Sequence, residues 1–109
     1  MTDAEKTILA RFKRGVSRRL SLNRIVLFGS RARGDADQFS DMDVLVILNE
    51  PANRAAREYV SQVAWEAGFE QGIMVVPVTV SRTEWEDGPE RSSLLAIAVN
   101  ADGVLYETR

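Results

Sequence analysis

The chain has 109 residues, a length that fits one domain and leaves no room for a second one of ordinary size. It contains neither cysteine nor histidine, which excludes disulfide bonds, catalysis by a thiol or an imidazole, and zinc sites built from these side chains. A bound metal would therefore be one that accepts oxygen ligands, such as Mg²⁺, Mn²⁺ or Ca²⁺. Residues 1–33 hold nine of the 14 Lys and Arg residues but only two of the 16 acidic residues. This asymmetry suggests that one side of the molecule binds a polyanion or an acidic partner, or alternatively that these charges only solvate helix faces.

The first predicted element is a helix over residues 2–20. Thr2 and Glu5 have the spacing of a capping box, in which each side chain binds the backbone N–H of the other residue. The apolar positions that recur at helical spacing are Leu9, Phe12, Val16 and Leu20. Gly15 weakens the helix locally. We therefore expect an N-terminal helix with one buried face.

Two short, apolar and β-branched runs predict buried strands over residues 24–28 and 42–48. The first run ends in the turn-forming pair Gly29 and Ser30. The intervening residues 31–40 are polar and rich in Gly, Asp and Arg, so we expect a loop that contains at most a helical turn near its start.

A second helix is predicted to start at Pro51, where the missing N–H of proline costs little, and to end near Gly68. Residues 73–80 predict a third strand. Pro77 lies inside that strand and cannot donate a ladder hydrogen bond, so we expect the strand at a sheet edge or bulged at this position.

Ser81 and Glu84 have the spacing of a second capping box, which indicates a short helical turn after the third strand. A further helix over residues 89–99 and a short strand over 103–106 complete the chain. Strands separated by helices predict a small α/β or α+β domain, with helices packed on a mixed sheet of three to four strands. We expect residues 1–109 to form this single domain.

A candidate phosphate-binding turn follows the first strand. Gly29 and Ser30 can present backbone N–H groups and a hydroxyl, and glycine lets the backbone approach a ligand closely. Arg31 and Arg33 could add charge-assisted contacts to phosphate. The alternative is an ordinary turn without a ligand.

Two carboxylates stand at the start of the second strand. Because side chains alternate along a strand, Asp41 and Asp43 should share one face, with Met42 on the other. Like charges held this close repel unless a cation lies between them. Mg²⁺ binds one or two protein carboxylates together with substrate phosphates, so this pair predicts a metal–nucleotide site. Alternatively, Asp41 merely solvates the strand end.

The combined pattern, Gly29-Ser30, ten residues, then Asp41-x-Asp43, resembles the minimal nucleotidyltransferase branch of the polymerase-beta superfamily, distantly similar to kanamycin nucleotidyltransferase. The resemblance implies a nucleotidyltransferase fold that binds ATP with Mg²⁺ and transfers AMP to a hydroxyl. It also implies catalytic and metal-binding roles for Asp41 and Asp43.

The family's third carboxylate, usually found on the third strand, has no counterpart here. Val76 occupies about the expected position, and the run over residues 73–80 contains no acid. Glu70, Asp35 and Asp37 are the candidate substitutes. The missing ligand should weaken catalysis more than it weakens triphosphate binding.

Small proteins of this kind resemble the antitoxins of toxin–antitoxin pairs in which the partner is a HEPN-type ribonuclease. The resemblance implies a hetero-oligomer in which the antitoxin attaches AMP to a tyrosine of the toxin. The alternatives are a binding module that neutralises such a partner by occlusion, and a small-molecule transferase of the aminoglycoside type. The latter is disfavoured because no acceptor-binding domain is visible.

The remaining expectations concern location and surface. No apolar run approaches the roughly 20 residues of a membrane span, and the N-terminus lacks a signal peptide's apolar core, so we expect a cytoplasmic protein. The excess of acids over the whole chain argues against a dedicated nucleic-acid binder. Trp65 and Trp85 are interpreted as packing or partner-contact residues, and Tyr106 as a packing residue.

Overall fold

The computed structural model describes residues 1–37, 39–88 and 93–106. Its elements in chain order are α1 (Asp3–Ser17), β1 (Leu22–Phe28), α2 (Ser30–Arg33), β2 (Met42–Leu48), α3 (Arg54–Phe69), β3 (Val75–Ser81), α4 (Arg82–Asp87), α5 (Leu94–Asp102) and β4 (Val104–Tyr106). The predicted fold class, a mixed sheet of three to four strands covered by helices, is confirmed.

The four strands form one sheet in the order β3-β2-β1-β4. β1 runs antiparallel to both β2 and β4, whereas β2 and β3 are parallel and are joined by the crossover helix α3. β3 is an edge strand, as Pro77 predicts. In this register Asp43 lies between Phe28 of β1 and Val76 of β3.

The central strand β2 is buried on both faces, which explains why its sequence is almost continuously apolar. On one face Val44 and Val46 pack under α1 and α3. On the other face Leu45 and Ile47 pack with residues of α4 and α5, including Trp85 and Val99. By alternation the side chain of Asp43 belongs to this second face.

Helix α1 has the predicted capping box and the predicted buried face, but it ends at Ser17 rather than at residue 20. Gly15 has a packing role that offsets its low helix propensity. A Cβ atom there would lie 2.5 Å from the Val63 side chain of α3, so the missing side chain lets the two helices approach. The Tyr59 hydroxyl donates a hydrogen bond to the Gly15 carbonyl oxygen.

One predicted helix start, that of α3, is corrected. Helix α3 begins at Arg54 rather than at Pro51, because the Asn53 side chain accepts a hydrogen bond from the Ala56 N–H at 2.9 Å and caps the helix. Helix α5 begins at Leu94 after a Ser93 cap, and the predicted start at residues 89–92 lies outside the described residues.

The aromatic residues divide between core and surface. Trp85 is partly buried on the sheet face that α4 and α5 cover, and Tyr106 packs against the core on the other face of the sheet, as predicted. Trp65, by contrast, exposes 62% of its surface and is not a core residue. No helix in the described part of the chain combines the length and the apolar character that crossing a membrane requires.

Candidate nucleotide and metal site

The turn after β1 brings its backbone directly against the carboxylate of Asp43. Phe28 pairs with Asp43 in the sheet register, so the next residue must pass the Asp43 side chain. Gly29 does so with φ 75° and ψ −158°, a conformation that is essentially restricted to glycine. A Cβ atom at Gly29 would collide with Asp43 Oδ2. Only glycine therefore fits at this point of the turn.

Ser30 begins the one-turn helix α2 immediately beyond this contact. The N–H groups of Ala32 and Arg33 both donate to the Gly29 carbonyl oxygen at 3.1 Å. The N–H of Ser30 comes before these first helical hydrogen bonds and has no partner within α2, and the Ser30 side chain carries a hydroxyl. Gly34, with φ 80°, ends the helix. This turn thus offers amide and hydroxyl donors beside the Asp43 carboxylate.

Asp41 and Asp43 lie close enough for the charge of Asp41 to act on Asp43. Asp41 is exposed and lies just before β2, whereas Asp43 is half-buried and is the second residue of β2. Burial disfavours the charged form and raises the pKa of Asp43, and the neighbouring charge of Asp41 raises it further, while Arg33 acts in the opposite direction. A pair of oxygen donors that repel each other fits Mg²⁺, which would bind between these carboxylates and relieve the repulsion.

Arg33 lies at the edge of this site, where its charge acts on Asp43. Its guanidinium pairs with Asp35 at 3.2 Å and with Asp102 of α5 at 3.6 Å. Both partners, the hydrogen-bonded Asp35 first, raise the pKa of Arg33, so it stays cationic. The side chain is 45% exposed, which leaves it accessible to a phosphate group.

Arg31 is placed differently from the sequence-based expectation. Its guanidinium pairs with Glu5 of α1 at 3.1 Å, and the two side chains are only 7% and 4% exposed. Its Nε donates to the Ser40 carbonyl oxygen at 2.9 Å. Arg31 therefore ties the start of α1 to the residue just before Asp41. This geometry favours a positioning role over the expected phosphate contact.

The third-carboxylate position is occupied by valine, since Val76 lies beside Asp43 in the parallel β2–β3 register. The three candidate substitutes have other partners. Glu70 pairs with Arg11 at 3.0 Å, Asp35 pairs with Arg33, and Asp37 accepts the Phe39 N–H at 2.8 Å. Over the described ranges, no group of three or more acids is arranged to hold a metal ion.

Two residues near the site were not recognised from the sequence. The sequence pattern indicates only a helix-capping role for Glu5, although Glu5 also pairs with Arg31, which is 26 residues further along the chain. Asp102 pairs with Arg33 from the far end of the chain. Long-range pairs of this kind leave no periodic signal.

Comparison of the whole chain with known proteins finds a matching family and a relative of similar sequence. The model of the nucleotidyltransferase domain matches residues 9–100. A protein of Methanocaldococcus jannaschii, whose provisional name is protein adenylyltransferase, is 33% identical over 78 residues, or 70% of this chain and 79% of that protein.

Solved structures share the fold. A chain from a toxin–antitoxin crystal structure with AMP-PNP has a TM-score of 0.64 at 21% identity, covering 99% of this chain and 76% of that one. A chain from the complex of a tri-AMPylated Shewanella oneidensis HEPN toxin with its MNT antitoxin has a TM-score of 0.57 at 20% identity, covering 99% and 74%. The match over residues 9–100 identifies this chain as a member of the nucleotidyltransferase domain family.

Proposed function

We propose that this nucleotidyltransferase-family chain transfers AMP from ATP, with Mg²⁺, to a hydroxyl group of a protein acceptor. The observation that carries the proposal is the contact between Gly29 and Asp43, with Asp41 alongside. It puts a donor-rich turn suited to phosphate next to a carboxylate pair suited to a divalent cation. Neither half alone would distinguish a site from an ordinary turn.

The proposed roles follow from this geometry. The backbone N–H groups and hydroxyl at Gly29 and Ser30 bind the β- and γ-phosphates. Asp41 and Asp43 hold Mg²⁺, and Arg33 supports the triphosphate from the exposed side of the turn. When bound, Mg²⁺ neutralises charge on the triphosphate and on the departing oxygen. Arg31 keeps its inward ion pair and fixes the loop before Asp41.

The reaction is an in-line displacement at the α-phosphorus. The acceptor hydroxyl oxygen forms a bond to that phosphorus while the bond to the bridging oxygen of the β-phosphate breaks. Pyrophosphate leaves and the hydroxyl proton passes to water. The residues of this chain contribute chiefly by positioning and by electrostatic stabilisation, as is usual for phosphoryl-group chemistry.

The proposed acceptor is a HEPN-type ribonuclease toxin, which would make this chain a cytoplasmic antitoxin in a hetero-oligomer. Support comes from similarity to a protein provisionally named a protein adenylyltransferase and from the fold shared with chains of toxin–antitoxin complexes. A tyrosine of the toxin would receive AMP, as the family resemblance implies.

A second candidate function is neutralisation by occlusion without transfer. The valine beside Asp43 favours it, because a carboxylate at that position would complete the metal site and help to activate the acceptor hydroxyl.

Transfer of radiolabel from ATP to proteins of the host lysate tests the proposal. We expect label from the α-phosphate, but not from the γ-phosphate, on one protein in the presence of Mg²⁺. The Asp41→Asn/Asp43→Asn variant should abolish it. If no label appears, and this variant still neutralises the partner, occlusion is the function.

A further inference from the structure

A basic groove of about 400 Å³ lies between α1 and α3. The two helices run antiparallel along it, since Arg11 pairs with Glu70 at one end and Arg19 lies over the Tyr59 ring at the other. Four of the nine Lys and Arg residues within residues 1–33 line this space, which we call the α1–α3 groove. Much of the positive charge of the N-terminal third therefore faces one surface.

The wall formed by α1 carries a row of arginines. Arg11, Arg14 and Arg18 follow one another at intervals of three and four residues, so they share one face of the helix over about 10 Å. Arg14 and Arg18 are exposed, and within the described ranges neither forms an ion pair. Like charges at this spacing repel on a helix, and anionic groups placed between them would relieve the repulsion. The α1 wall is therefore suited to an anionic partner.

The wall formed by α3 indicates which class of anionic partner fits. Gln62 and Glu66 line this wall, so the groove is basic along α1 and carries an acid on α3. A nucleic-acid backbone is negative along its whole length and would be repelled by Glu66. The Tyr59 ring is covered by the Arg19 guanidinium 5.1 Å from its centroid, so that face is closed to a stacking base. These features favour a protein segment, which can carry charges of both signs.

A second copy of this chain fits the groove poorly. Most assemblies of identical chains are symmetric, and a two-fold contact uses the same surface on both copies. Each α1–α3 groove would then bring four arginines to the contact, against Glu66 and the Glu70 that already pairs with Arg11. The surplus of positive charge on both sides would make the two copies repel. The groove therefore favours a different protein with an acidic surface.

The shape of the groove favours a helix of that protein. Val63 and Ala67 are buried and apolar, and Gly15 beside them adds no side chain that would fill the space. A helix laid along two antiparallel helices packs its side chains into a groove of this kind. Acidic residues at intervals of three and four on such a helix would face Arg14 and Arg18.

We propose that the α1–α3 groove docks an acidic helix of a partner protein, whose carboxylates pair with Arg14 and Arg18 and whose donor groups face Glu66. The helices α1 and α3 cover the sheet face opposite the side chain of Asp43. Docking therefore leaves the proposed nucleotide site open. The inference goes beyond the proposed transfer function and does not depend on it.

Binding of a defined acidic helix to the full chain tests the inference. The probe is a fluorescent, alanine-rich peptide of about 18 residues, long enough to form a helix, with glutamates at intervals of three and four along one face. Its isomer has the same composition, with the glutamates distributed around the helix. In fluorescence anisotropy at low ionic strength, we expect the one-faced peptide to bind at least about fivefold more tightly than the isomer.

Two charge-matched variants locate the binding surface. Arg14→Gln/Arg18→Gln should weaken binding of the one-faced peptide about tenfold. Arg54→Gln/Arg57→Gln removes the same charge from exposed positions of α3 outside the groove, and should change the affinity less than about twofold. Binding of AMP-PNP with Mg²⁺ should be the same in Arg14→Gln/Arg18→Gln as in the wild-type chain, which checks that the variant is folded.

Several outcomes would overturn the inference. The first is no binding of the one-faced peptide, or no preference for it over its isomer. Equal losses in the two double variants would show that only net charge acts. Tighter binding of a uridine oligonucleotide of equal charge would assign the groove to nucleic acid, and self-association that requires Arg14 and Arg18 would assign it to a second copy. If the wild-type chain binds the peptide as expected but not AMP-PNP, the proposed function fails and the docking surface is retained.

Discussion

Gly29 and Asp43 are in contact where β1 ends and β2 begins, with no space between them for a side chain. The sheet register puts Asp43 opposite Phe28, and the positive φ of Gly29 turns the chain across the carboxylate. This single contact joins the proposed phosphate-binding turn to the proposed metal ligands.

Replacing this glycine should therefore affect binding as well as folding. In Gly29→Ala the new Cβ collides with Asp43 Oδ2 and the backbone conformation is strained. We expect loss of Mg²⁺-dependent ATP binding, measured by calorimetry. The matched control is Gly34→Ala, which has φ 80° but nothing within 4 Å of the added Cβ. It should cost roughly 1–2 kcal/mol of stability and keep ATP binding. Equal binding losses in both variants would contradict the contact's role.

The buried ion pair between Glu5 and Arg31 should make stability depend on pH. Burial alone would raise the pKa of Glu5, but hydrogen bonds from Thr2 and Arg31 outweigh it and hold the pKa below its ordinary value. The stabilisation is therefore present above the unfolded-state pKa and lost as pH falls through the folded-state pKa.

We expect Glu5→Gln to lower the free energy of unfolding by about 2 kcal/mol at pH 7 in urea titrations, with the difference shrinking in acid. Glu58→Gln, which breaks the exposed pair with Arg54, should change it by less than about 0.5 kcal/mol. A loss for Glu5→Gln that does not vary with pH would refute the ionic explanation.

Substitutions of the two arginines after Ser30 should have different effects, one on stability and the other on ATP binding. Arg31→Lys cannot reproduce contacts to both Glu5 and the Ser40 carbonyl, so we expect a lower melting temperature. Arg33→Ala removes an exposed side chain, so the melting temperature should hold while ATP affinity falls about threefold to tenfold. The opposite assignment of the two effects would show that Arg31 is the phosphate ligand.

Restoring a carboxylate beside Asp43 should increase catalysis. Val76→Asp places an acid at the register position of the missing third ligand, and we expect Mg²⁺-dependent transfer to rise about tenfold, below what an optimised base contributes. Without Mg²⁺ the variant should unfold more easily, since three acids then repel one another. Val76→Asn is the uncharged control and should give neither effect. An unchanged transfer rate in Val76→Asp would show that the third carboxylate does not limit this protein.

Local sequence signals predicted much of the fold. The capping box of Thr2 and Glu5 and the edge position implied by Pro77 depend on backbone chemistry within a few residues, and both are confirmed. The start of α3 was wrong because Asn53 caps better than Pro51 initiates. A competition between two adjacent signals is hard to decide from propensities alone.

The candidate site was harder to predict in detail. Strand alternation predicts that Asp41 and Asp43 share a face, and the charge of Asp41 does act on Asp43 although Asp41 lies just before β2. The inward turn of Arg31 depends on Glu5, 26 residues away, and no spacing rule connects them. The 62% exposure of Trp65 likewise depends on how α3 packs against the rest of the fold. Properties that arise from packing between distant segments require the three-dimensional structure.

The most direct test of the account is a calorimetric titration of the chain with AMP-PNP. We expect binding in Mg²⁺, loss of binding in EDTA, and loss again in Asp41→Asn/Asp43→Asn despite an unchanged fold. Metal-dependent binding that requires both carboxylates would establish the site. Binding of equal strength in the double variant, or no binding by the folded wild-type chain, would contradict the account.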